Sequence, residues 1–319
     1  MSRTYEAKVH REKVTLSGSL VLSTPNHKSI AVLMLHGSGP LDRNANMEGQ
    51  NLHIFNVIAD ALERVGINSY RYDKRGCGDS SGDYNTASFS DLIDDACAAV
   101  DMLASVPCIE GIVLLGHSEG TIIAPVVAHL KPKVIGLVLL CPTIQPVEDT
   151  LMRQADNMAE RVATTPGIRG AMARFSACIR GGIPRRQRKL IDRIKASESD
   201  TFTAMGQHIP SKMLRELFAH DPKSWIAKVQ VPVLAIAGAN DIQCLPSDAK
   251  SIENMAQGPV ETHCLRGLTH ILRADDAPAS FDRYDELMTK ELDPRISQLC
   301  IKWILLHYFH RRPRKVSPS

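Results

Sequence analysis

Residues 111–128 read Gly111-Ile-Val-Leu-Leu115, then Gly116-His117-Ser118-Glu119-Gly120, then Thr121-Ile-Ile-Ala-Pro-Val-Val-Ala128. An apolar run with the character of a buried strand breaks into Gly-x-Ser-x-Gly and resumes as an apolar helical stretch. This is the pattern of a nucleophile elbow, in which a tight turn holds the serine in strained backbone geometry. The glycines two residues to either side let strand and helix pack closely around it. Ser118 is therefore the candidate nucleophile. The pentapeptide alone is common, and a glycine-punctuated turn with an incidental serine is the plain alternative. The strand before it and the helix after it make this one specific.

Outward from the elbow, buried strands and amphipathic helices alternate. Ser29-Ile-Ala-Val-Leu-Met-Leu35 is a continuous apolar run, the mark of a strand covered on both faces. A loop from His36 to Gln50 leads to a helical pattern with Ile54, Val57, Ile58, Ala61, Leu62 and Val65 on one face. Ile67 to Tyr72 reads as the next strand, Ser88 to Ser105 as a helix, and Val134 to Leu140 as the strand after the elbow. Residues 6–23 alternate, with Ser17-Gly18 as the expected turn of an edge hairpin. From about Ile144 to Lys228 the strand signal disappears, leaving helical stretches broken at Thr165-Pro-Gly167 and Gly181-Gly-Ile-Pro184. Strands resume at Val231-Pro-Val-Leu-Ala-Ile-Ala237 and Val260–Leu265, and a last helix covers about Arg295–Phe309. The expected fold is α/β, a mostly parallel, doubly wound sheet. Residues 1–143 and 229–319 form its two parts, and 144–228 an α-helical insertion. The tail Arg311-Arg-Pro-Arg-Lys315 is expected to fray.

Composition is that of a globular protein: 319 residues, 44% hydrophobic, 23% charged, net charge +3. No apolar stretch is long enough to span a bilayer, and the charged first residues lack a secretory h-region. Of the 8 cysteines, several sit inside apolar runs, as do Cys97, Cys141 and Cys300, which suits buried thiols in a reducing compartment. Cytoplasmic residence follows as the expectation. There is no Cys-x-x-Cys pair and no His/Cys cluster at metal-ligand spacing, so neither a metal nor an organic cofactor is expected.

A serine hydroxyl is a weak nucleophile at neutral pH and needs a base, itself oriented by a carboxylate. In open α/β sheets such groups gather at the carboxyl ends of strands. Asp241 lies there, in Ala237-Gly238-Ala-Asn-Asp241, and His270 lies just after the last strand, in Arg266-Gly-Leu-Thr-His270. The order Ser118, Asp241, His270 is that of α/β-hydrolases. The chain resembles that superfamily, in its esterase and serine-aminopeptidase-like (S33-type) branch, over about residues 8–142 and 229–309. The resemblance is carried by His36-Gly-Ser-Gly-Pro40 with Asp42-Arg43, by Tyr72-Asp-Lys-Arg-Gly-Cys-Gly-Asp-Ser80, by the elbow, by Gly238-Ala-Asn-Asp241 and by Thr269-His270. The insertion matches the family in position only, where such proteins carry a variable cap.

Each assignment has a competitor. Asp241 competes with a plain Asn-Asp turn, and with Glu148 and Asp149, because some members place the acid after the preceding strand. His270 competes with His263, which falls inside a strand. His36 and His117 are expected to pack or orient loops. An oxyanion needs preorganised donors; the elbow supplies the Glu119 N–H, and the resemblance implies the Ser38 N–H, with Gly37 and Gly39 as alternatives. Asp42, Arg43, Asp73 and Arg75 are read as a structural tie between the oxyanion loop and the neighbouring strand end.

The basic run Arg185-Arg-Gln-Arg-Lys189, with Arg193 and Lys195, is read as a solvated helix face. The sharper alternative is a cap that binds the phosphates of a CoA thioester. A solitary run without aromatic interleaving argues against nucleic acid. The resemblance implies a serine hydrolase acting on a small-molecule acyl substrate, foremost a carboxylic ester. Thioester, amide or carbon–carbon cleavage would use the same residues. An aminopeptidase would further need a cap carboxylate, for which Glu160 and Glu198 are available, and a ligand-binding protein on the same fold is the non-enzymatic reading. Membrane insertion is not expected, and homo-oligomerisation stays open.

Overall fold

The computed structural model describes residues 2–23, 28–164, 181–204, 206–278 and 280–309. Eight strands form one sheet: β1 Arg3–Arg11, β2 Val14–Leu22, β3 Ser29–Leu35, β4 Asn68–Tyr72, β5 Ile109–His117, β6 Val134–Leu140, β7 Val233–Gly238 and β8 Val260–Leu265. Their spatial order is β1-β2-β4-β3-β5-β6-β7-β8. β2 runs antiparallel to both of its neighbours, and the pairings from β4 to β8 are all parallel.

The helices of the sheet layers are α1 Ile54–Arg64, α2 Phe89–Ala104 and α3 Gly120–Leu130. Between β6 and β7 come α4 Val147–Thr164, α5 Ile183–Ala196, α6 Ser211–Ala219 and α7 Pro222–Ile226. After β7 follow α8 Ser247–Met255, α9 Tyr284–Met288 and α10 Pro294–Ile304, the last continuing into a π turn over Leu305–Phe309. Local chemistry sets several boundaries. Ser88 and Asp91 form a reciprocal capping box that starts α2, and Asp293 caps α10 just before Pro294.

The continuous apolar strands are explained by burial on both faces. Alternate residues of β3 face different cores, Ala31, Leu33 and Leu35 towards the α2–α3 side and Ile30, Val32 and Met34 towards the α1–α10 side. Cys97, Cys141 and Cys300 are buried and unpaired, as small hydrophobes.

Two expectations are corrected. The β1–β2 hairpin turns at Glu12-Lys13, because β1 starts at Arg3 and Ala7 pairs with Gly18 well inside the ladder. Gly18 is a glycine of close approach: a Cβ there would lie 2.5 Å from the Arg71 carbonyl oxygen and 2.7 Å from the Tyr70 hydroxyl. The segment after β6 also carries strand structure, a short hairpin of Phe202–Ala204 against Gln207–Ile209. Gly182 stands at the start of α5 with Pro184 in its first turn. Thr165-Pro-Gly167 and Arg311–Lys315 lie outside the described residues. Among the described residues no helix is long and apolar enough to cross a membrane.

Candidate active site

Ser118 joins β5 to α3 with φ of 54°, in the left-handed region that a residue with a side chain rarely adopts. Tertiary contacts hold it there. Its N–H donates to the Leu140 carbonyl at the end of β6 (3.0 Å), and its own carbonyl accepts from the Thr121 N–H (2.8 Å) and hydroxyl (2.6 Å). The flanking glycines are spatial necessities. A Cβ on Gly116 would lie 2.4 Å from the Gly120 oxygen, and one on Gly120 2.2 Å from the Leu35 oxygen. Strand and helix therefore cross closely, and Ser118 stays partly exposed at the carboxyl end of the sheet.

His270 and Asp241 reach the same point from the ends of β8 and β7. His270 Nε2 lies 3.0 Å from Ser118 Oγ, and Nδ1 lies 2.8 Å from Asp241 Oδ2. The second carboxylate oxygen, Oδ1, accepts the N–H groups of Gln243 (2.8 Å) and Cys244 (2.9 Å). A carboxylate has no proton to give, so Nδ1 carries the hydrogen, and in the neutral ring Nε2 presents its lone pair to the serine.

The electrostatics follow from burial and pairing. Burial by itself would raise the Asp241 pKa. The His270 charge and hydrogen bond, with the two backbone N–H groups, outweigh it and hold the carboxyl below its ordinary value. Burial pushes His270 downward, and the Asp241 charge overcomes it, raising the imidazole well above 6.5.

Neighbouring loops lock this arrangement. His117 donates from Nε2 to the His270 carbonyl (2.9 Å), and burial, then the His270 charge, push its pKa down to about 3, so the ring is neutral. His36 packs edge-on against Phe55 and Tyr72, and burial, then the Lys74 charge, lower it to about 3. Asn240 Nδ2 donates to the carbonyls of Asp275 (2.6 Å) and Ala277 (3.1 Å), joining the acid turn to the segment after His270. Arg153 and Gln154 of α4 both donate to the Gln243 carbonyl, at 2.9 and 3.2 Å, so the helix after β6 grips the same acid turn.

The rival residues are engaged elsewhere. Glu148 accepts from Arg188 (2.6 Å) and Lys195 (2.9 Å). His263 pairs with Glu261 at 2.8 Å, on β8 at the edge of the sheet. Asp149, Glu160 and Glu198 are all exposed and hydrogen-bond to none of Ser118, Asp241 and His270. Arg193 stacks over Phe202, 4.3 Å from the ring centroid. Arg186, Lys189 and Arg193 line a cleft of 580 Å³ to which none of Ser118, Asp241 and His270 contributes.

The four charged residues read as one tie divide their work. Arg43 grips both Asp73 oxygens (2.6–3.1 Å), joining the loop after β3 to the end of β4. Asp42 instead caps the N–H groups of Asn44 (2.8 Å) and Asn46 (2.9 Å) inside its own loop. Arg75 turns to α2, with both bonds to Asp95 at 2.7 Å.

The N–H groups of Ser38 and Glu119 donate to no other described residue. Beneath them lies a residue that sequence reasoning missed. Lys74 Nζ donates to the Gly37 carbonyl (2.6 Å) and to Glu119 Oε1 (3.0 Å). The available signal was Glu119 itself, a carboxylate inside an apolar elbow that needs a buried cation.

Comparison with known proteins agrees with this architecture. Esterase EstD of Thermotoga maritima is 27% identical over 240 residues, covering 73% of this chain and 52% of that protein. The chain thus spans about half the length of that curated relative. Est1E from Butyrivibrio proteoclasticus, solved with ferulic acid bound, superposes with a TM-score of 0.60 at 15% identity, covering 93% of this chain and 99% of that one. The Pyrococcus furiosus esterase Pf2001 gives 0.59 at 17%, covering 96% and 90%. At such identities the likeness is one of fold, the α/β-hydrolase fold. The profile of Hydrolase_4, described as serine aminopeptidase, S33, matches residues 49–277, more than half of the chain, and the chain belongs to this family.

Proposed function

We propose that this chain is a serine hydrolase that cleaves carboxylic esters of small molecules through an acyl-enzyme. The observation that carries the reading is the continuous hydrogen-bonded line from Ser118 Oγ through His270 to Asp241, at 3.0 and 2.8 Å. Ser118 Oγ attacks the ester carbonyl carbon, and its proton passes to His270 Nε2. The negative charge that develops on the carbonyl oxygen is met by the N–H groups of Ser38 and Glu119. Collapse of the tetrahedral adduct breaks the bond to the alcohol oxygen, which takes the proton from Nε2. Water, deprotonated by Nε2, then attacks the acyl carbon, and the acid leaves as Ser118 recovers its proton. Asp241 fixes the imidazole tautomer and offsets its transient charge. In this reading residues 144–228 form a cap on a core made of residues 1–143 and 229–319, and the cap shapes the acyl pocket.

The test is hydrolysis of p-nitrophenyl esters from acetate to laurate by the wild-type chain and Ser118→Ala. Turnover in the wild type that disappears in the variant is expected. Undiminished turnover in Ser118→Ala would defeat the assignment. Absence of turnover on every chain length, with Ser118 still labelled by a fluorophosphonate, would move the substrate to a thioester or amide.

A further inference from the structure

Building on the reading of Ser118 as nucleophile, we propose that Lys74 is a positioning residue that sets both donors of the oxyanion hole. Lys74 follows β4 and, with Glu119, forms an ion pair whose side chains are each 4% exposed. Its ammonium has two partners, and each belongs to a different half of the hole. The Gly37 carbonyl shares its peptide group with the Ser38 N–H. Glu119 carries the other donor on its own backbone.

The first link is directional. All described peptide bonds are trans, and in a trans peptide the C=O and N–H point opposite ways. An ammonium holding the Gly37 oxygen at 2.6 Å therefore aims the Ser38 N–H away from itself, on the side where that group has no partner within the described protein. The same contact polarises the peptide group, because a carbonyl that accepts a charged hydrogen bond leaves its N–H a stronger donor. Gly37 itself sits against the nucleophile, since a Cβ there would lie 3.3 Å from Ser118 Cβ.

The second link fixes spacing. With the Glu119 carboxylate held 3.0 Å from the same nitrogen, the loop after β3 and the start of α3 are registered to one cation. Tyr84 completes the seat. Its ring lies 5.5 Å from Lys74 Nζ, and its hydroxyl accepts the Gly39 N–H at 3.1 Å, so the loop is pinned on both sides of Ser38.

Stability gives no sufficient reason for this pair. Burying two charges costs desolvation that well-packed apolar residues would avoid, and such replacements are often neutral or stabilising. What an apolar pair cannot do is hold a carbonyl by its oxygen.

The experiment uses the full chain with a p-nitrophenyl ester and compares Lys74→Met, Glu119→Gln and the double variant. Lys74→Met should lower kcat on the order of 10²-fold, the scale of losing one oxyanion donor, with KM unchanged. Affinity for a trifluoromethyl ketone that forms a tetrahedral adduct should fall in parallel. Glu119→Gln keeps an acceptor for the ammonium and should lose less. Lys74→Met leaves a buried carboxylate unpaired and risks unfolding, so the double variant, which removes both charges, carries the decision. It should retain the wild-type urea midpoint and remain slow. A folded double variant with wild-type kcat, a KM rise with kcat retained, or a double variant that fails to fold would each overturn the proposal, the last by assigning the pair to stability. Ser118→Ala run alongside separates the two readings. Turnover surviving there defeats the serine assignment, whereas turnover surviving only in the Lys74 variants defeats this inference alone.

Discussion

Glu119 and Glu148 are both carboxylates that bridge separate elements through cations, and they live in different solvents. Glu119 meets Lys74 beneath the elbow, both side chains 4% exposed. Glu148, at the start of α4, meets Arg188 and Lys195 of α5 with side-chain exposures of 22%, 49% and 52%. In the first case water cannot replace either partner, so the pair dictates where backbone groups lie. In the second, water and salt compete for every charge and the geometry is one of several nearly equal choices. The floor of the site is thus built from a contact that admits one arrangement, and the Glu148 crossing from α4 to α5 from contacts that tolerate exchange. In the proposed reading the catalytic groups rest on the first kind of foundation and the cap on the second.

Substitutions under the floor should therefore be severe. Asp241→Asn is expected to reduce kcat on the order of 10⁴-fold, the loss seen when a triad acid becomes an amide and the wrong imidazole tautomer is stabilised. The pH profile gives a second readout. The proposed mechanism needs neutral His270, whose pKa is raised above 6.5 by the Asp241 charge acting against burial. Activity of the wild type should fall as pH drops through that raised value, and in Asp241→Asn this acidic limb should move to lower pH. An unmoved limb would break the assignment of Asp241 as the charge that sets His270.

Gly120→Ala is the next largest. Its Cβ would fall 2.2 Å from the Leu35 oxygen and 2.9 Å from the His36 oxygen, backbone atoms of the last residue of β3 and of the first residue after it. Relief requires β3 and α3 to separate, so a loss of about 3 kcal/mol is expected, at the upper end for overpacking a close contact. Urea denaturation would read it. A midpoint close to wild type would show that the floor yields as readily as the outer helices.

What could be read from the sequence follows the same division. The apolar run of β3 and the glycine pair around Ser118 were legible because each obeys a constraint of range two to five residues. Asp241 and His270 were legible because strand ends in a parallel sheet converge, and the two lie 2.8 Å apart. Gly18 misled because glycine marks a turn and a close approach alike, and only the neighbouring Arg71 oxygen distinguishes them. Lys74 was missed because its meaning depends on a carboxylate 45 residues away in sequence. The hairpin at Phe202–Ala204 and Gln207–Ile209 was missed because three-residue strands are too short to show a period.

The smallest effect tests the other half of the comparison. Glu148→Gln should cost at most about 1 kcal/mol, because its partners are half exposed and such pairs are screened. The hydrogen bond from Lys195, chiefly, holds the Glu148 carboxyl below its ordinary value of 4.5. A depressed folded pKa contributes stability above the unfolded value and loses it as pH falls through the folded one. The difference between wild type and variant should accordingly be present at neutral pH, shrink below pH 4.5, and shrink again in 1 M salt at neutral pH. Turnover of p-nitrophenyl acetate should stay near wild type, since Glu148 touches none of Ser118, His270 and Asp241. A large loss of turnover in Glu148→Gln would dissolve the distinction, because it would mean that the exposed charges of α4 and α5 determine the site as strictly as the buried pair beneath it.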